Sequence, residues 1–183
     1  KEDMPDVVNM AQYYKDRGYS TVSNNKITHI KNDIDAWDDE WYPQAKTWRN
    51  YLSEENLILE ASNKAGYAYE NIDVPDAAYI DGQTALKSIE DLKQFKADRK
   101  PFFLAVGFVK PHLPFNAPKK YWDLYDPNSI TLPENSTFPE SAPQRANHKW
   151  GELRSYIDIP KSGPVSDAIA KKLIHGYYAS VSY

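Results

Sequence analysis

The sequence contains no cysteine. That excludes disulfides, thiolate catalysis and cysteine-based zinc sites. It leaves the compartment open, because oxidising compartments also hold cysteine-free proteins. No apolar run approaches the roughly 20 residues that a membrane-spanning helix needs. No basic segment followed by an apolar one opens the chain, so no signal peptide is visible. The 22 lysines and arginines are scattered without a basic stripe, and the net charge is −4, which argues against a nucleic-acid surface. Internal repeats, low-complexity segments and a domain linker are also missing. What remains is 183 residues, 41% hydrophobic and 26% charged, enough for one domain with a core of its own. Aromatic residues make up 14%, with 14 tyrosines and 5 tryptophans. Aromatic faces either pack inside a fold or stack on sugar rings, and composition alone leaves both readings open.

Periodicity predicts a helix over residues 7–17, with Val7, Met10, Ala11 and Tyr14 on one face, Asp6 as its cap and Gly18 as its stop. A short strand follows over 19–23, and Asn24-Asn25 signals a turn. Residues 30–79 read as a long excursion with little regular structure and a hairpin at most; long irregular insertions are often functional. A helix is expected over 81–96, capped by Asp81 and buried along Ala85, Leu86, Ile89, Leu92 and Phe95. The strand over 102–108 is apolar on both faces, the pattern of a central parallel strand. Helix then strand is half of a βαβ unit, which places the chain in the α/β class. A short helix over 118–125, a proline-punctuated loop over 126–160 and a last helix over 165–183 complete the reading. That last helix is expected to bury Ala170, Leu173, Ile174, Tyr177 and Val181.

The most informative stretch is Phe102 to Phe115. A strand ends near Gly107, and Lys110 and His112 follow on backbone stiffened by Pro111 and Pro114. A second cation–imidazole pair, Lys26 and His29, follows the earlier strand. Open α/β sheets place ligand sites at the C-terminal ends of strands. If the two strands share a sheet, both pairs leave the same edge and can converge. Two ammonium groups and two imidazoles suit an anionic tetrahedral group, the imidazoles donating hydrogen bonds or a proton.

The pattern Ala105-Val106-Gly107-x-x-Lys110-Pro111-His112-x-Pro114-Phe115 resembles the strand-and-loop signature of the type I sulfatases, within them the iduronate-2-sulfatase-like group. Gly18-Tyr19-x-Thr21 with Lys26-x-x-His29, Asp81-Gly82-Gln83-Thr84, residues 119–132, and Tyr177 to Tyr183 resemble further segments of that group in the same order. The resemblance implies an alkaline-phosphatase-like α/β/α sandwich, of which residues 1–183 are an internal part. It implies hydrolysis of sulfate esters of carbohydrates by a formylglycine hydrate acting beside a bound calcium. In this sequence Lys26 would contact the sulfate and the formylglycine, and His29 would orient the formylglycine diol. His112 would bind the sulfate and protonate the leaving alcohol, and Lys110 would bind sulfate or a substrate carboxylate. The implied partners are a sulfated carbohydrate and the rest of the sulfatase polypeptide. The implied compartment is secreted or periplasmic, lysosomal if animal.

Several departures accompany the resemblance. Asn25 stands where the group has a glycine before the lysine. The family's aspartate pair and its later Asp-His/Asn pair are absent, so no metal ligand is expected in this chain, and alone it should not catalyse. Ser141-Ala142-Pro143-Gln144-Arg145 formally matches the serine form of the formylglycine motif. It is rejected as the nucleophile because it follows the signature strand and opens no helical pattern. Two other functional readings stay open: a non-catalytic carbohydrate-binding module, and a phosphodiesterase or phosphonate hydrolase of the same fold. For the remaining residues, Asp38-Asp39-Glu40 reads as a solvated acidic turn more readily than a cation site. Trp37, Trp41 and Trp48 form either a sugar-stacking wall or packing. His148 reads as an exposed loop residue, His175 as a packed or half-exposed helix residue, and Asn135-Ser136-Thr137 as a chance glycosylation sequon.

Overall fold

Residues 6–29, 34–62, 64–135, 137–146 and 151–183 are described by the structure, a computed structural model. Along the chain run α1 (Met10–Lys15), β1 (Ser20–Asn25), β2 (Asp39–Trp41), α2 (Glu54–Ala61), β3 (Tyr69–Glu70), α3 (Ile80–Asp98), β4 (Phe102–Gly107), β5 (Phe115–Asn116), α4 (Lys119–Trp122) and α5 (Asp167–Ser182). The chain divides into two units, Lys1–Lys46 with Asp76–Val109, and Thr47–Pro75 with Lys110–Tyr183. His148 and Ser136 of the sequon lie outside the described residues.

In the first unit β1 is the middle strand of a parallel sheet ordered β2-β1-β4. Its sequence, Ser-Thr-Val-Ser-Asn-Asn, is polar yet buried from Thr21 to Asn25. Buried polar groups need partners, and several here come from α3 and the stretch before β2. Thr21 Oγ1 donates to the Ala36 carbonyl (3.0 Å). Asn24 Nδ2 donates to Ser88 Oγ (3.1 Å) and Asp91 Oδ2 (2.7 Å), and Asn25 Nδ2 donates to Thr84 Oγ1 (3.1 Å). The face of α3 turned to the sheet is therefore Thr84 and Ser88. The apolar stripe expected there is on the other side: Leu86, Ile89 and Leu92 are about half exposed. Tyr79, not Asp81, occupies the N-cap position of α3. β4 was expected in the centre, but among the described residues it forms an edge of its sheet.

α1 is shorter than predicted. Asn9 caps it instead of Asp6, and Ala11 is its buried residue, with Met10 largely exposed. Tyr14 and Trp37 both stack parallel to Phe103 of β4, at centroid distances of 4.8 and 5.9 Å. Trp37 is thus packing. The acidic cluster is not a solvated turn: Asp39 and Glu40 are in β2, and Asp38 holds β1. Its carboxylate accepts from the Thr21 backbone N–H (2.9 Å) and meets Lys15 Nζ (3.1 Å). Above all the Thr21 N–H holds the Asp38 carboxyl below its ordinary pKa.

In the second unit β3 pairs in parallel with β5. Among the described residues of the excursion no hairpin forms; β2 pairs in parallel with β1 and β3 with β5. Glu70 of β3 is buried and accepts from the backbone N–H groups of Leu52 and Ser53, both at 2.9 Å, and from Asn56 Nδ2 at 3.0 Å. One core forms around Ala68, Tyr156 and Ile159, another around Ala117, Trp122 and Ala179. α5 was expected to bury Tyr177 and Val181, which are 45% and 60% exposed. It buries His175, Gly176, Ala179 and Ser180 instead. The reason is close approach: a Cβ on Gly176 would lie 2.9 Å from both Phe115 Cβ and Trp122 Cη2. His175 is packed, its Nε2 2.8 Å from the Trp122 carbonyl.

Candidate active site

Lys26 and His29 follow the C-terminal end of β1, which pairs with β4. These strands lie side by side with six residues in register, ending at Asn25 opposite Gly107. Asn25 has φ 65°, in the left-handed region that glycine favours and asparagine tolerates better than other residues. The tight turn survives the loss of the glycine, and the bond from Asn25 to Thr84 holds it. Lys26 and His29 follow on this turn, both exposed. Gly107 lets the turn approach: a Cβ there would sit 1.9 Å from the Lys26 carbonyl oxygen. Beyond β4, the Val109 N–H donates to the buried Asp81 carboxylate (2.9 Å). Asp81 is therefore an anchor for the segment leaving the sheet.

The second pair lies in the second unit, on the loop between β4 and β5. Lys110 Nζ donates to the carbonyls of His112 (3.2 Å) and Pro114 (2.5 Å), so the ammonium braces its own loop. His112 is exposed, with Nδ1 2.6 Å from the Leu113 carbonyl oxygen. A carbonyl only accepts, so Nδ1 carries the hydrogen. That leaves Nε2, which faces Glu152 Oε2 at 3.7 Å. Trp48 meets the His112 ring edge-on, with centroids 5.5 Å apart and planes at 87°. Sequence reasoning missed Glu152, which sits in an irregular stretch with no periodicity to announce it.

Among the described residues no three His, Asp or Glu side chains come together as a cation site. Ser141 is exposed, and a 3-10 turn, Gln144–Ala146, follows it. Among the described residues no helix is long and apolar enough to cross a membrane.

A sulfatase family model matches residues 1–183. This chain belongs to the sulfatase family. Its sheet of parallel strands with helices is the α/β arrangement expected of that family. It is similar to iduronate 2-sulfatase of Mus musculus, at 31% identity over 186 residues, and of Homo sapiens, at 30%. Each alignment takes in 94% of this chain and 34% of the relative. A sulfatase of Formosa agariphila is 29% identical over 192 residues, covering all of this chain and 37% of its own length. The chain thus spans about a third of the curated sulfatases it matches.

Proposed function

We propose that this chain is the part of a carbohydrate sulfatase that grips the sulfate ester and protonates the departing alcohol. The observation that carries the reading is the sulfatase family match over residues 1–183, with a lysine–histidine pair following β1 and another following β4 in sequence. In this reading the roles are carried over from the sulfatase resemblance, residue by residue. Lys26 and Lys110 supply positive charge to oxygens that gain negative charge as the S–O bond to the sugar breaks, and such charge stabilises the transition state more than the ground state. His29 orients the nucleophile. His112, with Nδ1 committed to the Leu113 carbonyl, delivers the Nε2 proton to the leaving oxygen. Lys110 works as much by bracing this loop as by its charge. Nucleophile and calcium belong, in this proposal, to other segments of the polypeptide. The iduronate 2-sulfatase relatives support a sulfated uronate or similar sugar as substrate.

The test is His112→Ala in the catalytically active enzyme, assayed on a sulfated sugar and on 4-nitrophenyl sulfate. A general acid contributes about 10²–10⁴-fold, and a good leaving group needs it least. We expect a loss of that order on the sugar and a far smaller one on the aryl ester. Equal losses on both would remove the proton-donor role. Faster turnover of aryl phosphate than aryl sulfate by the unmodified enzyme would move the reading to a phosphoester hydrolase.

A further inference from the structure

Residues 47–49 are pinned from both sides. Thr47 Oγ1 donates to the Glu60 carboxylate (2.9 and 3.0 Å), and Arg49 Nη1 meets the same carboxylate at 3.5 Å. The Arg49 carbonyl accepts from Nδ2 of Asn116 (2.9 Å), a residue with no exposed surface. Between these anchors Trp48 is 49% exposed. It touches His112 edge-on, and the Arg49 guanidinium lies 4.7 Å from its ring centroid. Trp37 is the contrast, stacked flat on Phe103 as a packing residue. Trp48 is instead held out to solvent by an ordered backbone, beside the imidazole assigned as proton donor.

We infer that Trp48 is the platform on which the substrate's sugar ring stacks. The inference rests on the reading of His112 given above. A pyranose has one face of C–H groups, and that face packs on an aromatic ring at about 3.5–4 Å. The His112 ring stands nearly perpendicular to the indole, so a sugar lying on Trp48 presents its ring substituents toward the imidazole.

The test uses the active enzyme with Trp48→Ala, Trp48→Leu and Trp48→Phe, assayed on a sulfated pyranoside and on an acyclic alkyl sulfate. Trp48→Ala and Trp48→Leu should raise KM for the pyranoside about tenfold, the equivalent of one contact worth about 1.4 kcal/mol. Trp48→Phe should restore most of it, and kcat/KM for the acyclic ester should stay within about twofold in all three. Leu fills space without a π face, so the Leu–Phe comparison decides the matter even if the alanine variant does not fold. Equal losses on both substrates, or Leu performing as well as Phe, would overturn the inference and leave Trp48 as a prop for His112. His112→Ala runs alongside: if it keeps full activity on the pyranoside, the reading of His112 fails, a result distinct from any Trp48 outcome.

Discussion

Asn25 adopts a left-handed backbone, and its side chain ties the turn before Lys26 to Thr84 of α3. Residues other than Gly, Asn and Asp lose about 1–2 kcal/mol in that conformation. Asn25→Ala should therefore lower stability by about 2 kcal/mol once the lost hydrogen bond is added. Asn25→Gly should lose only about 1 kcal/mol or less, since the backbone is then unstrained. Urea unfolding midpoints check this, and equal stability of the Ala and Asn forms would contradict it. Asp38 carries a pH dependence. Its pKa is depressed in the folded state, so its contribution is complete above the ordinary carboxylate pKa and fades as pH falls through the lowered one. Compared with Asp38→Asn, the unmodified protein should unfold at higher temperature at pH 7, and the gap should close toward pH 3. A gap that is constant with pH would assign Asp38 a role independent of charge.

The element scale rests on the β1–β4 contact. Gly107→Ala would drive a methyl group into the Lys26 carbonyl, and neither backbone can yield without parting the strands. A cost of about 3 kcal/mol is expected, at the upper end for overpacking. Sulfatase activity should fall even where the protein remains folded, because the Lys26 turn moves. Unchanged activity would show that the turn's position does not matter. Element positions were largely legible: β1, α3, β4 and α5 fall within a few residues of the spans that periodicity and turn residues indicate. Which face they bury was not. The rule that apolar stripes face inward failed for α3, where Thr84 and Ser88 face the sheet and hydrogen-bond to Asn25 and Asn24. It failed for α5 because Gly176 and Ala179 permit an approach that larger residues would block. The excursion's short strands stayed hidden because β2 and β3 have three and two residues, and their partners lie far along the chain. The turn bearing Lys26 and His29 and the loop bearing Lys110 and His112 were legible, since motif and strand end coincide. Glu152 and the Asp81 anchor were not, since each acts through a contact made only on folding.

At the scale of the whole molecule, two units are formed by interleaved stretches of chain, and the sheet with β1 and β4 belongs to the first. These 183 residues, expressed alone, should give no turnover of 4-nitrophenyl sulfate above the uncatalysed rate, because the proposed nucleophile is elsewhere. Measurable hydrolysis that His112→Ala abolishes would show instead that the chain is self-sufficient. The edge position of β4 among the described residues has a practical consequence. Phe102 and Val106 of this strand are 39% and 36% exposed, and Phe108 just beyond it is 53% exposed. An edge strand with exposed apolar side chains templates the addition of another strand, from the same polypeptide or from a neighbour in a concentrated solution. Handling of the isolated piece is thereby governed by how that edge is capped, and a short added peptide mimicking a β-strand should compete with precipitation.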